Sequence, residues 1–159
     1  MEATKELSLV SSSPEETQRI GESLGELAEA DDIYILTGKL GAGKTCLTQG
    51  IALGLRIHES VLSPTFVLIR ELKGRLPLYH IDLYRLDKIE EIAELGLDDY
   101  FYGHGVTVIE WGEKAGQLIP EESLSIEISY LSDKERCLEF KANGKRYGQI
   151  IDEIKKRSI

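Results

Sequence analysis

The sequence predicts an α/β fold of three layers, with a mixed, largely parallel central sheet and antiparallel additions. Three observations lead there. An apolar run, "DDIYILTG", opens directly into a glycine-rich loop and then a helical pattern. A second continuous apolar run, "VTVIEW" (Val106 to Trp111), has the composition of a strand buried on both faces, as the centre of a parallel sheet requires. Further on, "SLSIEISYL" and "ERCLEFKA" alternate polar and apolar residues, the pattern of antiparallel strands.

The elements follow in order. Short apolar "LSLV" precedes "SSSPEETQRIGESLGELAEA", which starts with serine and proline and carries acids in its first turn. Those are helix start signals, and Ile20, Leu24, Leu27 and Ala28 fall at helical spacing, so Pro14 to Ala30 reads as an amphipathic helix. After the glycine loop, Lys44 to Leu53 reads as a helix stopped near Gly54. "FVLIREL" and "LPLYHIDL" resemble two strands about the turn "KGR". Lys88 to Gly96 is a short helix with glycine at its end, and "GKRYGQIIDEIKKRS" closes the chain as a helix. No repeat, linker or low-complexity segment divides the 159 residues, so a single domain over 1–159 is expected.

Composition narrows the classes of function. With 42% apolar and 30% charged residues the chain reads as an ordinary folded protein. Its formal charge of −9 repels phosphate backbones, which disfavours broad electrostatic binding to nucleic acid or anionic membrane. Arg70, Lys73 and Arg75 form a local basic cluster that reads as a solvated hairpin. Cys46 and Cys137 lie far apart and make no ligand-spaced set with His58, His80 or His104, so both are expected as free thiols. No basic leader followed by an apolar run, and no bilayer-length apolar stretch, is found; the expected location is cytoplasmic, with no membrane partner.

The chemistry concentrates in "YILTGKLGAGKTCLTQGI". Gly38, Gly43, Lys44 and Thr45 meet the pattern G-x-x-x-x-G-K-[ST], with Gly41 as an additional glycine. A strand enters and a helix leaves, as that phosphate-binding loop requires. Backbone N–H groups from Gly41 to Cys46 can converge on phosphate oxygens only where side chains do not block them, and the helix adds the positive end of its dipole. Lys44 would sit against the β- and γ-phosphates, and the Thr45 hydroxyl would complete the coordination of magnesium. The fold expectation thereby sharpens to a P-loop NTPase-like one.

Such chemistry also needs a carboxylate at the end of a neighbouring strand. Glu110, after the buried run "VTVI", is the first candidate for the metal, because central strands deliver their C-terminal ends to the loop. Asp82, after "PLYHI", is the second, on the magnesium side or orienting water. Thr65, in "SPTF", stands on a loop where nucleotide switches sense the γ-phosphate, although the residues alone slightly favour a plain proline turn. Trp111, the single tryptophan, adjoins Glu110 and would report on the site, although it also suits a core.

With the glycine loop, "SPTF", "YHIDLYRL", "ELGLDDYF" and "VIEW" in this order, the chain resembles the TsaE family of small bacterial ATPases, formerly called YjeE, over roughly Ser13 to Pro120. The resemblance implies ATP and magnesium as cofactors and feeble hydrolysis by the protein alone. It implies a role in threonylcarbamoyl modification of adenosine 37 in ANN-decoding tRNAs. The implied partner is the TsaB–TsaD heterodimer, with tRNA met only within the assembled complex. Carried onto this chain, the phosphate cradle is Gly41, Ala42, Gly43, Lys44, Thr45 and Cys46, and magnesium falls to Thr45 and Glu110. Asp82 becomes a catalytic carboxylate and Thr65 the switch residue; the segment around Ser13 and Thr17 lies beside the adenine, and Lys134 or Arg136 also reaches the nucleotide. Lys39 and Cys46 depart from the family loop, which has aspartate and threonine there.

Rival readings have less support. A GTPase needs N-K-x-D and usually D-x-x-G, and neither string occurs. A small-molecule kinase shares the loop but generally carries an arginine-bearing lid, for which "LSDKERCLEF" with Arg136 is the sole candidate. A nucleotide-gated binding module, in which ATP orders the "SPTF" loop and hydrolysis is incidental, is the non-enzyme alternative.

Overall fold

A computed structural model describes residues 5–61 and 68–157. The elements are β1 (Lys5–Ser11), α1 (Pro14–Leu27), β2 (Ile33–Thr37), α2 (Lys44–Gly54), β3 (Ile69–Leu72) and β4 (Leu78–Asp82). They continue as α3 (Ile89–Ala93), α4 (Asp98–Phe101), β5 (Val106–Glu110), two single 3-10 turns between Gly112 and Leu118, β6 (Ser123–Tyr130), β7 (Arg136–Asn143) and α5 (Lys145–Arg157). The seven strands form one sheet in the order β1-β7-β6-β2-β5-β4-β3. Pairing is parallel among β6, β2, β5 and β4, and antiparallel at both flanks. That is the mixed sheet with antiparallel additions that the sequence predicts. The parallel part occupies the centre.

Strand periodicity sorts the apolar residues into two layers. Tyr34, Leu36, Val106 and Val108 face a core shared with Leu24 of α1, Leu47 and Ile51 of α2, and Ile150 and Ile154 of α5. Ile33, Ile81 and Ile109 face the opposite way, onto Ile92 of α3, Phe101 of α4 and Ala115. Each fully buried aliphatic side chain in these layers contributes roughly 1.5–3 kcal/mol. The layers fix the loop-bearing helix α2 against one face of the sheet.

What sets α2 in place is a pair of glycine faces that helical spacing of apolar residues does not reveal. Gly21 and Gly25 of α1 lie against Gly50 and Gly54 of α2. A Cβ on Gly25 would stand 2.2 Å from the Ile51 carbonyl oxygen, and one on Gly50 would stand 2.2 Å from the Gln18 carbonyl oxygen. The two backbones touch without intervening side chains.

Helix α1 starts as expected, with Ser13 as N-cap accepting from the Glu16 N–H at 3.1 Å and proline following it. It stops at Leu27, short of the expected Ala30, because the chain turns extended at Ala28 (φ −66°, ψ 142°), and Arg75 and Arg146 take carbonyls at that end. Arg75 donates to the carbonyls of Gly25 (2.8 Å) and Ala28 (3.0 Å), so this residue of the basic cluster is a helix cap rather than a solvated charge. Arg146 donates to the Leu27 carbonyl at 2.7 Å and pairs with buried Asp32 at 2.8 Å, clamping α5 to the start of β2. Among the described residues no helix is long and apolar enough to cross a membrane. Both cysteines are free thiols.

Candidate functional site

β2 ends at Thr37, and the chain turns back through the glycine loop into α2. Gly41 and Gly43 hold φ of +80° and +121°. A Cβ at Gly43 would meet nothing within 4 Å, so glycine is required there by backbone conformation rather than by space. Gly43 is also the N-cap of α2 and offers no side-chain cap. The first N–H groups of α2 are therefore left for an external acceptor, at the positive end of the helix. Ala42 is buried beneath the loop.

Lys44 is folded back onto its own loop. Its ammonium donates to the carbonyls of Gly38 at 2.5 Å and Lys39 at 2.9 Å, and lies 4.2 Å from the centre of the Trp111 ring. Burial pushes its pKa below the ordinary lysine value, and Glu110, Glu113 and Asp82 partly restore it. Trp111 does not continue strand β5, as the run "VTVIEW" predicts. It takes a left-handed conformation (φ 60°, ψ 36°), which ends the strand at Glu110 and turns the indole under Lys44.

The two strand-end carboxylates meet beside the loop. β4 and β5 are parallel neighbours in which Asp82 and Glu110 are register partners, so both acids leave the sheet at the same level. The Thr45 hydroxyl lies 3.2 Å from Glu110 Oε1 and 3.4 Å from Oε2. Asp82 Oδ1 accepts the Tyr84 N–H at 3.0 Å, which fixes the turn leaving β4. A cleft of about 320 Å³ joins Gly41, Gly43, Lys44, Thr45 and Cys46 of the loop to Asp82, Glu110 and Trp111. Tyr84 and Arg85 form its far wall.

Other predicted residues sit around that centre. The Cys46 thiol lies 3.3 Å from the Pro14 carbonyl, so the start of α1, with Ser13, stands beside the loop. Burial pushes that thiol's pKa up. Thr17 is buried and shares a hydrogen bond with Ser11 at 2.7 Å, which gives it a structural role at the β1–α1 corner. Lys134 is exposed on the β6–β7 hairpin, and Arg136 donates to three carbonyls of that hairpin while stacking 4.2 Å over Tyr130. Neither lines the cleft; the hairpin reaches the loop through Tyr130, whose hydroxyl lies 3.2 Å from the Leu40 carbonyl. Thr65 lies outside the described residues.

One residue in the site escapes the motif reading. His80, fully buried on β4, places Nε2 2.5 Å from Glu110 Oε2. The signal was present in "LYHID": residues two apart on a strand share a face, so His80 and Asp82 point the same way. The residues present suit a magnesium nucleotide, with hard oxygen donors from Thr45 and Glu110 beside an uncapped helix N-terminus.

Residues 11–138 match the family model described as "Threonylcarbamoyl adenosine biosynthesis protein TsaE". The chain belongs to the TsaE family. It is 43% identical over 151 residues to the tRNA threonylcarbamoyladenosine biosynthesis protein TsaE of Bacillus subtilis, covering 94% of each chain. To the protein of the same name in Treponema pallidum it is 45% identical over 127 residues, covering 80% of this chain and 94% of that one. The crystal structure of Bacillus subtilis YdiB matches with a TM-score of 0.87 at 38% identity over the full length of both chains. The family match spans the whole lining of the cleft, from Leu40 to Trp111.

Proposed function

We propose that this TsaE-family chain is a magnesium-dependent ATPase that serves threonylcarbamoyl modification of adenosine 37 in ANN-decoding tRNAs, acting on the TsaB–TsaD heterodimer. The observation that carries the ATPase reading is the Thr45–Glu110 contact beside an uncapped helix N-terminus and a buried lysine. The names of the relatives support the pathway.

The residues divide the work as follows. The Gly41–Cys46 backbone binds the phosphates, and Lys44 leaves the Gly38 and Lys39 carbonyls to meet the β- and γ-phosphates. Thr45 and Glu110 would hold magnesium, which would supply neutralisation of charge on the transferred phosphoryl group. Asp82 stands level with Glu110 and orients the attacking water or completes the metal's sphere. Ser13 and the start of α1 lie on the adenine side. Cys46 contributes its N–H to the cradle, so replacing the family's threonine leaves this function intact. The −9 charge suits a protein that meets tRNA only inside a complex, and a cytoplasmic location follows from that role.

The test is ATP turnover by the purified chain, alone and with TsaB–TsaD from the same source. A low solo rate that rises with the pair and vanishes in Glu110→Gln is expected. If the pair neither binds nor alters the rate, the pathway reading fails and small-molecule phosphate acceptors become the next candidates.

A further inference from the structure

We propose that His80 is a positioning residue that sets the orientation of Glu110 for the metal. This inference rests on the reading of Glu110 as a magnesium ligand. All five residues of β4 are buried, and His80 is 0% exposed while Glu110 is 3% exposed. The carboxylate is held from two sides, by His80 Nε2 at 2.5 Å from Oε2 and by the Thr45 hydroxyl at 3.2 Å from Oε1 and 3.4 Å from Oε2. A contact from the sheet on Oε2 and one from the loop spanning both oxygens fix the plane of a carboxylate that would otherwise rotate about its last bond. Held this way, Oε2 is tied to the sheet and Oε1 is the oxygen nearer the Thr45 hydroxyl.

The ring is retained at a cost. Nδ1 of His80 is buried and has no hydrogen-bond partner among the described residues. Leaving such an atom unpaired costs stability, and an apolar residue of similar volume would avoid that penalty. A strand interior that keeps a half-satisfied imidazole against a site carboxylate is explained when the Nε2 contact is needed. Val108, the register partner of His80 on β5, is a buried apolar residue and supplies no donor. The hydrogen bond from His80 is therefore the sheet's own hold on the side chain of Glu110 among the described residues.

The decisive comparison is His80→Gln against His80→Asn. Glutamine puts its amide nitrogen near the Nε2 position and reaches Glu110, whereas asparagine ends near Nδ1 and falls short. ATP affinity is measured calorimetrically with and without magnesium, alongside thermal melts, for the wild-type chain and both variants. Glutamine is expected to keep the magnesium-dependent gain in affinity, and asparagine to lose it by about 10–100-fold, the usual effect of removing a partner of a metal ligand. Metal-free ATP affinity should be equal in all three. If Gln and Asn variants behave alike, whether both intact or both impaired, the proposal is overturned. His80→Met, which fills the volume and donates nothing, repeats the comparison where asparagine does not fold. A wild-type chain that binds ATP without any magnesium effect would instead overturn the metal reading of Glu110 itself.

Discussion

Asp82 and Glu110 are register partners at the C-terminal ends of adjacent parallel strands, yet their surroundings differ. Glu110 contacts Thr45 of the loop and His80 of the sheet, while an Asp82 oxygen is committed to the Tyr84 N–H in its own turn. The two acids are accordingly separable by experiment. Glu110→Gln should lower turnover by about 100–1,000-fold, the scale on which loss of one preorganised electrostatic group acts, and should remove the effect of magnesium on ATP affinity. Asp82→Asn should lower turnover while keeping the magnesium effect. Titration calorimetry and steady-state rates on the same preparations check both.

Lys44 over Trp111 gives an optical handle, since this is the single tryptophan in the chain. Nucleotide phosphates should draw the ammonium off the indole and change its emission in a saturable way. Lys44→Met should shift the starting spectrum and abolish the ATP response. An unchanged spectrum on saturation with ATP would mean that the lysine stays on the ring.

The glycine faces of α1 and α2 predict a stability effect far from the chemistry. Gly25→Ala places a methyl group 2.2 Å from the Ile51 carbonyl oxygen, so the helices must separate. Overpacking of this kind typically costs about 1–3 kcal/mol, and a backbone contact leaves little room for relief. A loss at or above the upper end is expected by urea unfolding. Because α2 begins at the loop, ATP affinity should fall with it.

Alkaline pH should weaken the fold. Tyr147 accepts the Ile33 N–H at 2.9 Å, and burial pushes its pKa up to about 12; burial and nearby Asp32 push Tyr34 well above its ordinary value. The folded chain thus keeps protons that the unfolded chain releases from about pH 10 upward, so this contribution is whole below pH 10 and is lost as pH rises. For Tyr147 the loss runs between about pH 10 and about pH 12. Tyr147→Phe should lower stability by about 1 kcal/mol at neutral pH through the missing hydrogen bond, and should reduce the slope above pH 10. Urea midpoints measured from pH 8 to 11 test this.

The parts of the site that depend on backbone pattern were legible in the sequence. Glycine spacing, a strand before it and a helix after it place the glycine loop between β2 and α2, and continuous apolar composition singles out the strand that carries Glu110. What side chains do to each other across the sheet was not legible. "YHIDL" puts His80 and Asp82 on one face of a strand, but that His80 meets Glu110 rather than core depends on which strands are neighbours. The folded-back Lys44 and the left-handed Trp111 are likewise consequences of tertiary packing. Gly21, Gly25, Gly50 and Gly54 reveal their close approach only when two helices are seen together, since each lowers helix propensity on its own. Arg75 read as a surface charge because its acceptors lie 47 to 50 residues earlier.

The central claim is that this loop and Glu110 together hold magnesium ATP. Calorimetric titration of ATP into the wild-type chain, Lys44→Ala and Glu110→Gln, each with and without magnesium, tests it most directly. The account predicts binding by the wild type that magnesium tightens, no detectable binding by Lys44→Ala, and binding by Glu110→Gln that magnesium leaves unchanged. Tight binding by Lys44→Ala, or full magnesium enhancement in Glu110→Gln, would contradict it.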